Sequence, residues 1–123
     1  TPLYWASMLG HESVCRLLLQ HNNIKVNLAE RTGKGPMHIA ACAGKEGVVR
    51  LLLEDERVEV DTKDDYGRTP LWWAAMEGHE GIVRLLLSDD RVDVNQTNNH
   101  GETVLHIMAG HWGKEAIVRL LLD

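Results

Sequence analysis

The chain repeats itself every 34 residues. Thr1-Pro2-Leu3, Gly35-Pro36-Met37, Thr69-Pro70-Leu71 and Thr103-Val104-Leu105 stand at one phase of this period. Arg16-Leu17-Leu18-Leu19, Arg50-Leu51-Leu52-Leu53 and Arg84-Leu85-Leu86-Leu87 stand at another, with Arg119-Leu120-Leu121-Leu122 one residue late. A period of this size specifies a stacked array, in which each unit packs against its neighbours, and not a globule closed around one core. The approximate units are 1–34, 35–68, 69–102 and 103–123, the first lacking its leading turn and the last truncated.

The third unit shows what each is made of. Asp64-Asp65-Tyr66-Gly67 is turn chemistry, with Asp bonding its own backbone and Gly supplying a positive φ. Thr69 is placed to cap a helix, and Pro70 fits the first helical position, where no N–H is needed. Leu71, Ala74 and Ala75 then fall on one helical face, and Gly78 ends the helix as a left-handed cap. Glu80 opens a second helix, with Ile82, Val83, Leu86 and Leu87 at helical spacing. Val92-Asp93-Val94-Asn95 alternates and reads as extended.

Helices of two or three turns do not survive alone in water, so neighbouring units must complete each other's core. The pairs Ala40-Ala41 and Ala74-Ala75 let adjacent first helices approach closely, and the leucine triplets supply apolar contact between second helices. Glu12 and Arg16, Glu46 and Arg50, Glu80 and Arg84, and Glu115 and Arg119 each stand four apart in the favourable order, stabilising a helix by about 0.2–0.5 kcal/mol per pair.

Composition narrows the function. Apolar residues make up 44% of the 123, normal for a folded chain. No apolar run approaches the roughly 18 residues of a membrane span. The net charge is −5, with both signs interleaved, whereas a surface that tracks nucleic acid needs clustered cations. Cys15 and Cys42 lack disulfide or zinc spacing and read as buried or half-buried small apolar residues in a reducing compartment, cytoplasmic or nuclear. The seven histidines fall in rows one unit apart and converge on no tetrahedral metal set. There is no phosphate loop, nucleophile elbow or HExxH pattern. The expectation is a chain with no catalysis, metal or cofactor.

These motifs resemble ankyrin repeats. The residues that carry the resemblance are Gly67-Arg68-Thr69-Pro70-Leu71, Ala74-Ala75-Met76-Glu77-Gly78-His79-Glu80, Pro36-Met37-His38-Ile39-Ala40-Ala41 and Val104-Leu105-His106, with Val26-Asn27, Val60-Asp61 and Val94-Asn95 closing the units. The resemblance implies an all-α solenoid of stacked helix-turn-helix units with β-hairpin fingers, and recognition of a partner protein through the finger tips and a concave helix face. The period exceeds the common family length by one residue, at His21-Asn22-Asn23, Asp55-Glu56-Arg57 and Asp89-Asp90-Arg91. This longer form, with Trp72-Trp73, is similar to ankyrin arrays of filamentous-fungal proteins, and the chain reads as an interior slice of a longer array. Gly110-His111-Trp112-Gly113 carries one more inserted residue. Tyr4 and Trp72 stand where the motif has His.

Two sets of residues are candidates for partner contact. On the first helices, away from the core, lie Trp5 and Met8, Ile39, and Trp73, Met76 and Glu77. An exposed apolar stripe marks binding and aromatic anchors dominate interface energetics; the alternative is that Trp5 and Trp73 fill the joint between units. At the finger tips, Arg31 and Lys34, then Asp65, Tyr66 and Arg68, then Asn99, His100 and Glu102, differ between units while the framework repeats. The leading expectation is a protein-binding scaffold; the alternatives are the regulatory arm of a nucleotide-hydrolysing receptor and a structural spacer. The uncapped ends predict marginal stability or self-association.

Overall fold

A computed structural model describes residues 1–123. The helices are α1 (Pro2–Leu9), α2 (Glu12–Leu19), α3 (Pro36–Ala43), α4 (Glu46–Glu54), α5 (Pro70–Met76), α6 (Glu80–Leu87), α7 (Val104–Ala109) and α8 (Glu115–Leu122). They stack in two layers. The first helices α1, α3, α5 and α7 pack in series, as do the second helices α2, α4, α6 and α8, and each pair also packs on itself.

The helix starts follow the sequence reading. The hydroxyl oxygens of Thr1 and Thr69 accept from the N–H groups of Tyr4 and Trp72 at 3.1 and 3.2 Å. Gly35 has no hydroxyl, and there the bond is reversed, its N–H donating to Nδ1 of His38 at 3.2 Å. Because Nδ1 accepts, Nε2 carries the proton and donates to the Arg68 carbonyl at 3.0 Å, tying α3 to the next finger. His38 is fully buried, and desolvation, the largest influence, holds its pKa below the ordinary value against the pull of the Arg68 carbonyl and Asp64.

One core runs the length of the stack. It is lined by Leu3, Met37 and Leu71 at one phase and by Cys15, Val49 and Val83 at another, with Leu52, Ile82 and Leu86 among the fully buried side chains. Ala40, Ala41, Ala74 and Ala75 are buried between adjacent first helices, where small side chains permit close approach. In the last unit the fully buried Met108 takes the place of an alanine.

Two expectations change. The closing segments are not strands: Val92 and Asp93 are irregular and Val94-Asn95 is a turn, and the only ladder contact is an isolated bridge between Thr97 and Thr103. Each finger is instead a tight hairpin turn, closed by backbone bonds from Glu30 to Lys34, Asp64 to Arg68 and Asn98 to Glu102, all 2.9 Å. The valines of the first two segments, Val26, Val58 and Val60, are buried, so their alternation reports core contact and not sheet pairing.

The Glu-to-Arg ladder forms once, at Glu46 and Arg50, 2.9 Å apart and both exposed. The Glu12 carboxylate lies over Gly47 in the first turn of α4, where any side chain would collide with it, as Glu46 lies over Gly81. A carboxylate is favoured there by the positive end of the neighbouring helix. Finally, the inserted residue of the last unit is accommodated outside the stack: α7 is six residues long and Trp112 is 98% exposed on the turn that follows.

The additional residue per period also has a structural use. Arg57 donates to the carbonyls of Leu19 and His21, at and just past the end of α2, at 2.6 and 3.1 Å, and is braced by Asp55 at 2.7 Å. Arg91 repeats this one unit on, donating to the Leu53 carbonyl at 2.8 Å and braced by Asp89 at 2.7 Å. The side-chain hydrogen bond from the arginine is the main reason both Asp55 and Asp89 lie below the usual carboxylate range. Each clasp supplies donors to helix-end carbonyls that have no partner within their own helix.

Candidate protein-binding face

The fingers stand beside the first helices, and the joint between them is best developed around Asp64. Asp64 opens the third finger and is almost fully buried. Its Oδ1 accepts from the N–H groups of Tyr66 and Arg68 at 3.0 and 2.8 Å, fixing the turn. Its Oδ2 accepts from Arg68 Nε at 2.9 Å and from Trp73 Nε1 at 3.1 Å, fixing the finger to α5. Burial by itself raises the pKa of this carboxyl, but the donors and the Arg68 charge outweigh it and hold Asp64 below its ordinary value.

Trp73 is thereby clasped from two units. Lys34 Nζ of the second finger lies 3.9 Å from its ring centroid and Arg68 Cζ of the third lies 4.4 Å away. Trp72 meets it edge-on, with centroids 5.1 Å apart. Cation–aromatic contacts of this kind contribute about 0.5–1 kcal/mol each at exposed sites and more when desolvated. Arg68 also lies 4.6 Å from the Tyr66 ring, supporting it while leaving Tyr66 61% exposed. The fingers are joined along their tips by backbone bonds from Asp65 to the Thr32 carbonyl at 3.0 Å and from Asn99 to the Tyr66 carbonyl at 3.1 Å.

Gly67 is fixed by this stacking. It takes φ 79°, and a Cβ there would also strike Asn99 of the next finger. Adjacent fingers pass as closely as they do because no side chain stands between them.

The candidate residues fall into three groups. Trp5 is 57% exposed, packed edge-on against Tyr4 at 6.2 Å, and Arg31, Asp65, Tyr66, Glu77, Asn99 and His100 are also exposed. Met8, Lys34, Arg68, Trp73, Met76 and Glu102 are half-buried and present part of their surface. Ile39 departs from the expected stripe: at 9% exposed it belongs with the buried residues, because α3 is flanked by α1 on one side and α5 on the other. Cys42, half-buried on α3, has its thiol pushed up chiefly by burial, which keeps it protonated and weakly nucleophilic. Trp73 fills the joint between units and is at the same time only half-buried.

Sequence reasoning missed the residues that hold this face in shape. His79 Nε2 donates to the Cys42 carbonyl at 3.0 Å and Lys114 Nζ to the Met76 carbonyl at 2.8 Å. Both tie the start of a second helix to the end of the first helix in the preceding unit. His11, Lys45 and His79 share one phase, with Lys114 one residue late after the insertion, and that shared cationic or hydrogen-bonding character was the available signal. Asp64 and Asn98 likewise share a phase and each accept two N–H bonds from their own finger.

A two-layered stack of helix pairs, each with a finger clasped to the next and a face of partly exposed aromatic residues, defines a repeat solenoid. The family model for ankyrin repeats, described as three copies, matches residues 1–64 and 56–123, and the chain belongs to the ankyrin repeat family. Ankyrin repeats are generally protein–protein interaction modules, and the family is typically non-catalytic. No curated protein matches the chain. No helix is long and apolar enough to cross a membrane.

Proposed function

We propose that this array binds a partner protein along the groove between its fingers and first helices. The apolar contacts are Trp5, Met8, Tyr66, Trp73 and Met76, and the polar rim is Arg31, Asp65, Glu77, Asn99, His100 and Glu102. The observation that carries this reading is the clasp around Trp73. Lys34, Asp64 and Arg68 fix the ring and hold Tyr66 beside it, so aromatic surface is presented in a rigid arrangement. Rigid aromatic anchors bind at a lower ordering cost than mobile ones.

Four units are long enough for a standard interface of about 800 Å² per partner. Trp5 and Tyr66 test the proposal because neither is part of the core. The double variant Trp5→Ser, Tyr66→Ser keeps the wild-type circular dichroism spectrum. It binds the partner captured by the wild-type array about 30-fold or more weakly, as expected for loss of an aromatic anchor. Unchanged affinity in the folded double variant rejects this face as the binding surface.

A further inference from the structure

Asn27, Asp61 and Asn95 occupy one phase of the repeat. Asn27 joins the first unit to the second with both halves of its amide. Its Oδ1 accepts from the Glu59 N–H at 2.8 Å, and its Nδ2 donates to the Arg57 carbonyl at 2.7 Å. Asp61 stands in the same place at the next joint. Its Oδ2 accepts from the Asp93 N–H at 2.6 Å, and Asp93 is the counterpart of Glu59. Its Oδ1 therefore takes the place of the Asn27 amide nitrogen, and the counterpart acceptor is the Arg91 carbonyl. That Oδ1 is buried and receives no hydrogen bond. An ionised carboxylate there sets two acceptors against each other, an arrangement that costs free energy when water is excluded. A protonated carboxyl has nearly the shape of the amide and restores the donor.

We propose that Asp61 is a proton-operated latch between the second and third units, closed when Oδ1 carries a proton and donates it to the Arg91 carbonyl, and loosened when the carboxyl ionises. The charged groups around it favour the closed form. Asp89 and Asp93 from the segment after α6 oppose ionisation, and Lys63 on its own segment favours it. Glu56 and Glu59 line the same groove. The Arg91 guanidinium is engaged by Asp89 and the Leu53 carbonyl. Burial is the largest reason that the Asp61 carboxyl lies above its ordinary value, against the lowering effect of the Asp93 N–H. A carboxyl raised in the folded state above its unfolded value, about 3.9, contributes its full stability below the unfolded value and loses it as pH rises through the folded one.

The latch lies at the base of the fingers that carry Tyr66 and His100, so its state sets how firmly those fingers are held together. The test compares melting temperatures of the wild-type chain and Asp61→Asn at pH 7.5 and pH 4.5. The substitution installs the group that already works at Asn27, so folding is preserved. The variant melts about 3–6 °C higher at pH 7.5, and the difference is smaller at pH 4.5 and continues to shrink as pH falls toward the unfolded value. Comparing each variant with wild type at the same pH removes the opposite pH dependence of His38. In the reciprocal variant, Asn27→Asp, the first joint acquires the same loss of stability at the higher pH. Carbon-13 NMR of the Asp61 carboxyl reads its titration directly, with a midpoint above about 3.9. An Asp61→Asn difference equal at both pH values, or an Asp61 midpoint at or below that value, overturns the latch.

Discussion

Leu52→Ala lowers the unfolding free energy by about 3–5 kcal/mol. Leu52 is fully buried on α4, and α4 is packed between α2 and α6. Truncation removes apolar burial and leaves a cavity walled on both sides by neighbouring helices, which limits collapse into it. A domain of this kind has about 5–15 kcal/mol of net stability, so a large share is lost at one position. In a linear array the damage falls at the joints on either side, and the transition broadens as the halves uncouple. Leu17 provides the control. It belongs to the same repeating triplet but is exposed on α2, and Leu17→Ala changes stability by no more than about 0.5 kcal/mol. Urea denaturation followed by helix circular dichroism measures both. Equal effects at Leu17 and Leu52 contradict the assignment of core and surface.

Asp64→Ala has the second large effect, about 2–4 kcal/mol. Four donors converge on this one carboxylate. Its removal leaves two finger N–H groups and the Trp73 indole without their acceptor, and Arg68 without its ion pair. Arg68 is 22% exposed, so water reaches part of the guanidinium and keeps the cost below that of a wholly buried pair. The loss is local as well as global. Trp73 is released from the third finger, so its fluorescence shifts toward that of a solvated indole before the helices unfold. The pH dependence has a definite sign. Asp64 is held below its ordinary value, so its contribution is complete above about 3.9 and is lost as pH falls through the lower folded value. Acid melting of wild type thus has a component that Asp64→Ala lacks. Identical acid profiles for the two contradict this account of the finger.

Those two residues mark how far the fold is legible in the sequence. Leu52 is announced by the leucine triplet and by helical spacing, because burial along a stack follows a period that one chain displays several times. Asp64 is visible as turn chemistry, but its second oxygen serves a tryptophan nine residues on, and no local pattern encodes that reach. At Val92-Asp93-Val94-Asn95 the alternation that normally signals a pleated strand belongs to an irregular segment ending in a turn. Here the valines of this motif pack against the core, while backbone groups bond side chains of the preceding unit, as Asp93 does with Asp61. The Glu-to-Arg spacing likewise reports only one of two contacts open to these glutamates, since Glu12 and Glu46 both lie over a glycine of the next unit and only Glu46 also pairs with its arginine. What one unit does to the next is recorded in the phase of the repeat, as with Asn27 and Asp61 or Arg57 and Arg91, and becomes readable once contacts give each phase a role.

The exposed face is narrower than the helical stripe in the sequence. Ile39 drops out because two neighbouring helices enclose it, whereas Tyr66 stays exposed on a finger braced by Arg68. Trp73 holds the units in register and is also partly exposed.

Site-specific photo-crosslinking tests the central claim most directly. A photoreactive amino acid is placed in turn at Tyr66 and Glu77, on the finger and first-helix side, and at Leu17 and Arg50, on the second helices. The partner captured by the wild-type array crosslinks from Tyr66 and Glu77 and not from Leu17 or Arg50. Crosslinks confined to Leu17 and Arg50 contradict the assignment of the finger and first-helix side as the binding face.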